Sequence, residues 1–355
     1  MKAIVLCAGL GTRLRPLTFS TAKHLIPVAN KPVLYYGIES LVAVGARRIG
    51  MIVSRESRGI IQNAVDDGQR WGAEVTYIEQ PEPRGLAHAA QCAESFIGAE
   101  PFVMYLGDNL LPEGMTAAVE RFQRTGADAV VMLKPVDDPS SFGIAEVEGE
   151  RITRLVEKPK QPRSDLAIVG GYVFGPQIFT SIHRIKPSWR NEYEITDAIQ
   201  DLIDRGLTVV PYIVAGWWKD AGKPADILEA NRVMLEQLAP AIEGTVDATS
   251  TIEGAVSIGP RSEIIGSHIR GPAIIGAETR IVDAEIGPFS SVGDRVHVIR
   301  SRVENSVIME DCVIQNVRQQ VTGSLLGRKV QVNGRSDALA AVTLLLGDFC
   351  EAELS

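Results

Sequence analysis

The sequence predicts an α/β domain built on a mostly parallel sheet, followed by a parallel β-helix. Three observations carry that expectation. Up to about residue 240, apolar strand-like runs alternate with amphipathic helical stretches; after about residue 245 a six-residue repeat takes over; and the first apolar run ends directly in a glycine loop. Continuous apolar strands separated by helices imply a parallel sheet covered on both faces. Ligands in such folds bind beyond the carboxyl ends of the strands.

Each element has its own signal. Lys2 to Ala8 is an apolar run, and Val33 to Ala46 places Leu34, Ile38, Leu41 and Val42 on one helical face. Strands are expected at Ile49–Val53, Glu74–Ile78, Pro101–Leu106, Ala129–Leu133 and Leu207–Val210. These make up a first domain over residues 1–240. In the second, residues 245–335, Ile269, Ile275 and Ile281 fall six apart, as do Ile286, Val292 and Val298, and Val307 and Val313. A period of six is neither 2 nor 3.6. It suits a β-helix whose flat faces each take one hexapeptide. Ile281 to Ile286 is only five, so small loops are expected where the period slips; a valine-rich β-sandwich is the alternative. Residues 336–355 contain the run from Ala338 to Leu346 and are expected to cap the open end.

The composition sets limits. A length of 355 residues favours one large and one smaller domain. A hydrophobic content of 45%, a charged content of 23% and a formal charge of −8 describe a globular chain and argue against a general nucleic-acid binder. Cys7, Cys92, Cys312 and Cys350 form no CxxC pair and read as buried thiols of a reducing compartment. The apolar start is too short for a signal peptide and is broken at once by Arg13 and Arg15. No run reaches the roughly 20 apolar residues that cross a bilayer. A cytoplasmic protein, with no membrane partner, is predicted.

The chemistry-bearing residues begin with Gly9-Leu10-Gly11-Thr12-Arg13, with Lys23 following. Closely spaced glycines free backbone N–H groups to face an anion, and Arg13 adds a permanent charge to the same loop. Leu14 stands where a dinucleotide fingerprint needs its third glycine, and no Walker loop is present. A plain strand-to-helix turn is the other reading of the glycines.

Leu106-Gly107-Asp108-Asn109 and Lys219-Asp220-Ala221-Gly222-Lys223 each place an acid beside a glycine. Asp108 and Asp220 could share one Mg²⁺ with phosphate oxygens and water, or serve as turn residues. Gln80-Pro81 with Gly85 offers an amide and a glycine backbone to a pyrimidine edge. Glu157-Lys158 pairs an acceptor for hydroxyls with a cation, and Arg190 precedes a helix start. Solvated charge clusters are the other reading of the last two.

These motifs occur in order, together with Lys23-x-Leu25-x-Pro27-Val28, Gly85-Leu86-Ala87, Glu157-Lys158-Pro159 and Glu194-Ile195-Thr196-Asp197. In them the chain resembles the sugar-1-phosphate nucleotidyltransferases, most closely the long form of the glucose-1-phosphate thymidylyltransferases, over nearly its whole length. The resemblance implies a Rossmann-like, mixed but mostly parallel sheet in the first domain and a left-handed β-helix in the second. It implies reaction of dTTP with glucose 1-phosphate to give dTDP-glucose and pyrophosphate, with Mg²⁺ as cofactor, in a homo-oligomer. Arg13, Lys23, Asp108 and Lys158 would be catalytic. Leu6, Ala8, Gly9, Gly11, Thr12, Arg13, Gln80, Pro81, Gly85 and Asp108 would bind the nucleotide. Leu106, Gly143, Glu157, Lys158, Gly171 and Arg190 would bind the sugar phosphate, and Asp108 and Asp220 the metal.

A phosphate monoester has its second pKa near ~6, so the nucleophile needs no general base. Cations and positioning should then supply most of the catalysis. Three departures stand out: Ala8 replaces a common glycine, His24 a common glutamine, and Ala221-Gly222-Lys223 the Thr-Gly-Thr of short forms. The alternatives are UTP or ATP as nucleotide, an N-acetylhexosamine phosphate as sugar, and an acyltransferase activity in the β-helix, where only His268 and His297 are available. A non-enzymatic binding module would need the loop but not the two acids.

Overall fold

The computed structural model describes residues 1–334 and 341–354. The chain divides into two compact units: Met1–Leu10 with Val33–Asp220, and Gly11–Pro32 with Ala221–Ser355. These units are drawn differently from the sequence domains, because Gly11–Pro32 and the helix Pro224–Glu236 group with the β-helix.

In the first unit, Lys2–Cys7 is the centre of a nine-stranded sheet, flanked in parallel by Arg48–Val53 and Phe102–Leu106. Glu74–Glu79 extends the parallel side. On the other side the sheet is mixed, as the resemblance implies. Leu166–Phe174 runs antiparallel to both Phe102–Leu106 and Ala129–Pro135, and Val209–Ile213 closes in parallel on Ala129–Pro135. Gly143–Glu148 and Arg151–Glu157 form an antiparallel pair at the edge.

These last two strands and Leu166–Phe174 are absent from the sequence expectation for physical reasons. Arg151–Glu157 is half polar and carries an irregularity between Ile152 and Arg154. Leu166–Phe174 is interrupted by Gly170 and Gly171. The first helix covers Val33–Ala43 and stops short of Ala46, because Gly45 turns at φ +80° and returns its N–H to Val42 O. Leu34, Ile38 and Leu41 are buried as the helical face requires.

In the second unit, short parallel strands stack into three sheets of seven, seven and five strands among the described residues, fitting the left-handed parallel β-helix. Inward-facing Ile269, Ile286 and Val303 follow one another in register, as do Ile275 and Val292, and Ile281 and Val298. One coil takes 17 residues along much of the stack. The five-residue step from Ile281 to Ile286 is therefore part of the regular coil and not a loop.

Corners are stitched by serine hydroxyls. Ser250 Oγ accepts from Ser267 N, Ser262 Oγ from Thr279 N, and Ser267 Oγ from Ala284 N. At one corner column Arg261, Glu278, Arg295, Asp311 and Lys329 all take positive φ, and along the outside Arg261 pairs with Glu278 and Arg295 with Asp311, the latter at 2.7 Å. Of the expected cap, 336–340 and 355 lie outside the described residues. Its remainder adds parallel strands on the preceding coil, Leu345–Leu346 on Leu325–Leu326 and Glu351–Leu354 on Gln331–Gly334.

The loop segment is attached to the β-helix within this unit. Pro27–Val28 and Lys31–Pro32 form a two-residue hairpin whose turn, Ala29 and Asn30, has φ +48° and +59°. Positive φ at both central positions is what a type I′ hairpin demands, and for Ala29 it is costly. Asn231 holds it. Buried in the helix Pro224–Glu236, its Oδ1 accepts from Ala29 N at 2.8 Å and Ser291 Oγ at 2.6 Å, and its Nδ2 donates to Phe289 O at 2.9 Å. Asn30 Nδ2 donates to Val292 O at 2.7 Å.

Asn231→Ala strands a backbone N–H and a carbonyl in the interior, so it should cost about 2–4 kcal/mol of unfolding free energy. Urea titration measures this, and a loss under about 0.5 kcal/mol would count against the account.

Candidate active site

The glycine loop is shaped by steric necessity. Strand Lys2–Cys7 is buried from Ala3 onward, with Leu6 paired to Leu106 in register; Ala8 is still buried, and Gly9 is exposed. Gly11 sits at φ +63°, and a Cβ there would lie 2.9 Å from Lys23 Cβ and 3.1 Å from Thr18 Cγ2. Only glycine satisfies both constraints. Gly11 O accepts from Leu14 N and Thr18 Oγ1, folding Thr12–Leu14 into a tight turn. Thr12 and Arg13 are exposed, and Arg13 makes no ion pair among the described residues. His24 is 1% exposed, which places this departure in the packing of the loop. Lys223, exposed, is the N-cap of its helix.

Two motif islands far apart in sequence are locked together. Gly85 has φ +97°, and a Cβ on it would lie 2.5 Å from Tyr193 O. Through this contact Tyr193 N donates to Arg84 O and Ala87 N donates to Tyr193 O. The island containing Gln80, exposed Pro81 and Gly85 is thus clamped to the island containing Arg190. Gln80 itself is buried, with Nε2 donating to Gly85 O at 3.1 Å and lying 3.1 Å from His88 Nδ1.

The acid motif is organised by its neighbour. Gly107 N donates to Leu6 O, and Asp108 follows at the strand end. Asn109, buried, donates from Nδ2 to Asp108 Oδ1 at 3.0 Å; its Oδ1 accepts from Trp218 Nε1 at 2.6 Å and Gly170 N at 3.2 Å. In the small antiparallel pairing Asp220 stands opposite Asn109, so the second acid is placed one residue from the first.

The remaining cluster is strongly charged. Gly143 faces Glu157 in register, and a Cβ on it would meet Thr196 Cγ2 at 2.6 Å and Glu157 Oε2 at 3.0 Å. Glu157 accepts from Thr196 Oγ1 at 3.3 Å and from Arg190 Nη1 at 3.4 Å, with Lys158 Nζ at 3.9 Å. Arg190 also meets Glu194 at 3.4 Å and Glu192 at 3.0 Å. Lys158 adopts φ +43°, a strained conformation for a lysine, of the kind that collects at functional sites. Gly171 is closely packed, since a Cβ would lie 2.7 Å from the sulfurs of Met115 and Met132.

Burial is the largest influence on Glu157 and Glu194, and it lifts both above the ordinary carboxylate range against the pull of nearby cations and hydrogen bonds. Burial alone lifts Asp197. Sequence reading missed Asn109 as an organiser, Tyr193 as a clamp, and His88 and Thr196 as partners. All four stand inside or beside the quoted motifs, which was the available signal.

The nucleotidyl transferase family model matches residues 2–237. The chain belongs to that family. It is 47% identical over 356 residues to a glucose-1-phosphate thymidylyltransferase of Streptomyces antibioticus, covering 100% of this chain and 99% of the relative. With a protein of the same name from Streptomyces griseus it shares 44% identity, both chains being covered in full. A crystal structure from Bacillus anthracis, described as a glucose-1-phosphate thymidylyltransferase in complex with sucrose, aligns with a TM-score of 0.62 and 36% identity. It covers 66% of this chain and 94% of its own.

Members of the family generally use a divalent metal. The donor set here suits one: two carboxylates on adjoining strand ends, with no group of three or more His, Cys, Asp or Glu among the described residues. Such a cation would complete its shell with oxygens from substrate and water.

Glu157 yields a prediction with a definite sign. Its folded pKa lies above the ordinary value of 4.5, so the unfolded chain releases this proton first. Glu157 therefore erodes stability as pH rises from the unfolded to the folded pKa. Glu157→Gln removes that erosion. Its melting temperature should gain on the wild type as pH rises past the ordinary carboxylate value of 4.5, with the gain vanishing at the acid end. A gap that narrows with rising pH would contradict the assignment.

Proposed function

We propose that this chain transfers a thymidylyl group from dTTP to glucose 1-phosphate, releasing pyrophosphate and forming dTDP-glucose. The observation that carries the reading is the similarity to two thymidylyltransferases along the entire chain, β-helix included. The geometry agrees with it: a buried amide for a base is clamped by the Tyr193 backbone to a carboxylate–arginine cluster suited to sugar hydroxyls and phosphate.

In this reading the sugar phosphate attacks the α-phosphorus in line and pyrophosphate leaves. The chain's task is to bring two anions together. Arg13 and the backbone N–H groups around Gly9 and Gly11, with Leu6, Ala8 and Thr12 alongside, receive the triphosphate. Lys23 offsets charge at the α-phosphate or the attacking phosphate. Gln80, beside Pro81, and the Gly85 backbone read the base. Glu157 accepts from glucose hydroxyls, with Leu106, Gly143 and Gly171 shaping that end, while Lys158 and Arg190 hold the sugar phosphate. Asp108 and Asp220 would hold Mg²⁺, whose chemistry is to neutralise phosphate oxygens. A homo-oligomer and a cytoplasmic setting belong to the same proposal; no described helix is long and apolar enough to cross a membrane.

Pyrophosphate release from dTTP, UTP or ATP with glucose 1-phosphate tests the assignment, and equal or better use of UTP would overturn it. Asp108→Asn and Asp220→Asn should each remove most turnover while nucleotide binding persists in part. Arg13→Ala should lower kcat by on the order of 10²-fold.

A further inference from the structure

Gln80 is 6% exposed, and both acceptors near its side chain face the nitrogen: Gly85 O and His88 Nδ1, each 3.1 Å from Nε2. Nδ1 can accept only if the ring proton sits on Nε2. The Gly85 carbonyl fixes the amide nitrogen on this side, so Nδ1, facing the same nitrogen, is the acceptor and the ring proton sits on Nε2. Gln80 Nε2–H therefore donates to both Gly85 O and His88 Nδ1. Both amide hydrogens of Gln80 are taken. What remains is Oε1, which has no hydrogen-bond partner among the described residues.

A flipped amide would set Oε1 against the Gly85 carbonyl and the His88 lone pair, two repulsive contacts in place of two hydrogen bonds. We infer that His88 is a specificity-determining positioning residue: it fixes Gln80 so that the site presents an acceptor to the incoming base. Set against N3 of the base, that acceptor matches pyrimidines that carry a hydrogen there, namely thymine and uracil. It repels cytosine, whose N3 is itself an acceptor. The inference deepens the proposed reading of Gln80 as the base contact and rests on it.

The test compares kcat/KM for dTTP and dCTP, each with glucose 1-phosphate, in wild type, His88→Ala, His88→Asn and Gln80→Leu. His88→Ala should lower the dTTP-to-dCTP ratio about tenfold, the equivalent of one hydrogen bond, through the nucleotide KM and not through the KM for glucose 1-phosphate. His88→Asn, whose Oδ1 can accept where Nδ1 did, should restore most of the ratio. A uniform loss with both nucleotides at an unchanged ratio would make His88 a packing residue and overturn the inference. If Gln80→Leu collapses the ratio while His88→Ala leaves it intact, only the role of His88 falls. If neither substitution moves it, Gln80 is not the base contact and both fall.

Discussion

The buried carboxamide of Asn109 is the interaction on which the first unit's catalytic arrangement depends. Its oxygen takes the Trp218 indole N–H and the Gly170 amide, and its nitrogen holds the Asp108 carboxylate. No apolar residue could do this, and an aspartate would set a second negative charge against Asp108. The approach is close enough that Gly170 can carry no side chain, since a Cβ would lie 2.5 Å from Asn109 Cγ. The same residue pairs with Asp220 across the small sheet, so one side chain and one backbone register together fix where two acids stand. Such a group is costly to bury unless every polar atom is matched. Full matching is what makes the position rigid.

The Glu157–Arg190 cluster obeys the opposite logic. Arg190 meets three carboxylates, and burial keeps Glu157 and Glu194 less acidic than free side chains. An arginine so surrounded already has its N–H groups aligned, and an incoming phosphate can replace a carboxylate as partner at little reorganisation cost. Stability is given up for a site arranged in advance, and the strained lysine at Lys158 points the same way.

Sequence made the fold class legible where periodicity was strong. The apolar strands around Lys2–Cys7 and the repeat at Ile269, Ile275 and Ile281 left little room for another architecture. The antiparallel edge was not legible, because Arg151–Glu157 alternates imperfectly and Leu166–Phe174 carries two glycines whose reason lies in Asn109, Met115 and Met132, residues distant in sequence. Candidate residues with charge or glycine at a strand end could be named in advance. Residues that act through a neighbour could not: Tyr193 works through its backbone, Asn109 through one amide, and Asn231 through a turn formed 200 residues away. None has a distinctive side-chain pattern.

That last contact bears on why the chain carries a β-helix at all. A free-standing catalytic domain would have to hold Gly11–Pro32 by other means. Here Asn30 bonds Val292 O, Asn231 joins the Ala29 turn to Phe289 and Ser291, and Ser20 Oγ donates to Asp348 in the terminal coil. These contacts reach the loop segment at two separate coils, one in the middle of the stack and one at its end. Parallel coils pinned by hydroxyl ladders form a stiff support, and a loop anchored to it at both places loses conformational freedom before any substrate arrives. For a reaction whose barrier lies in pressing one anion onto another, a loop whose cations are already in place has the more direct catalytic value. On the proposed reading, in which Arg13 and Lys23 meet phosphate, the β-helix contributes by holding the loop that carries them.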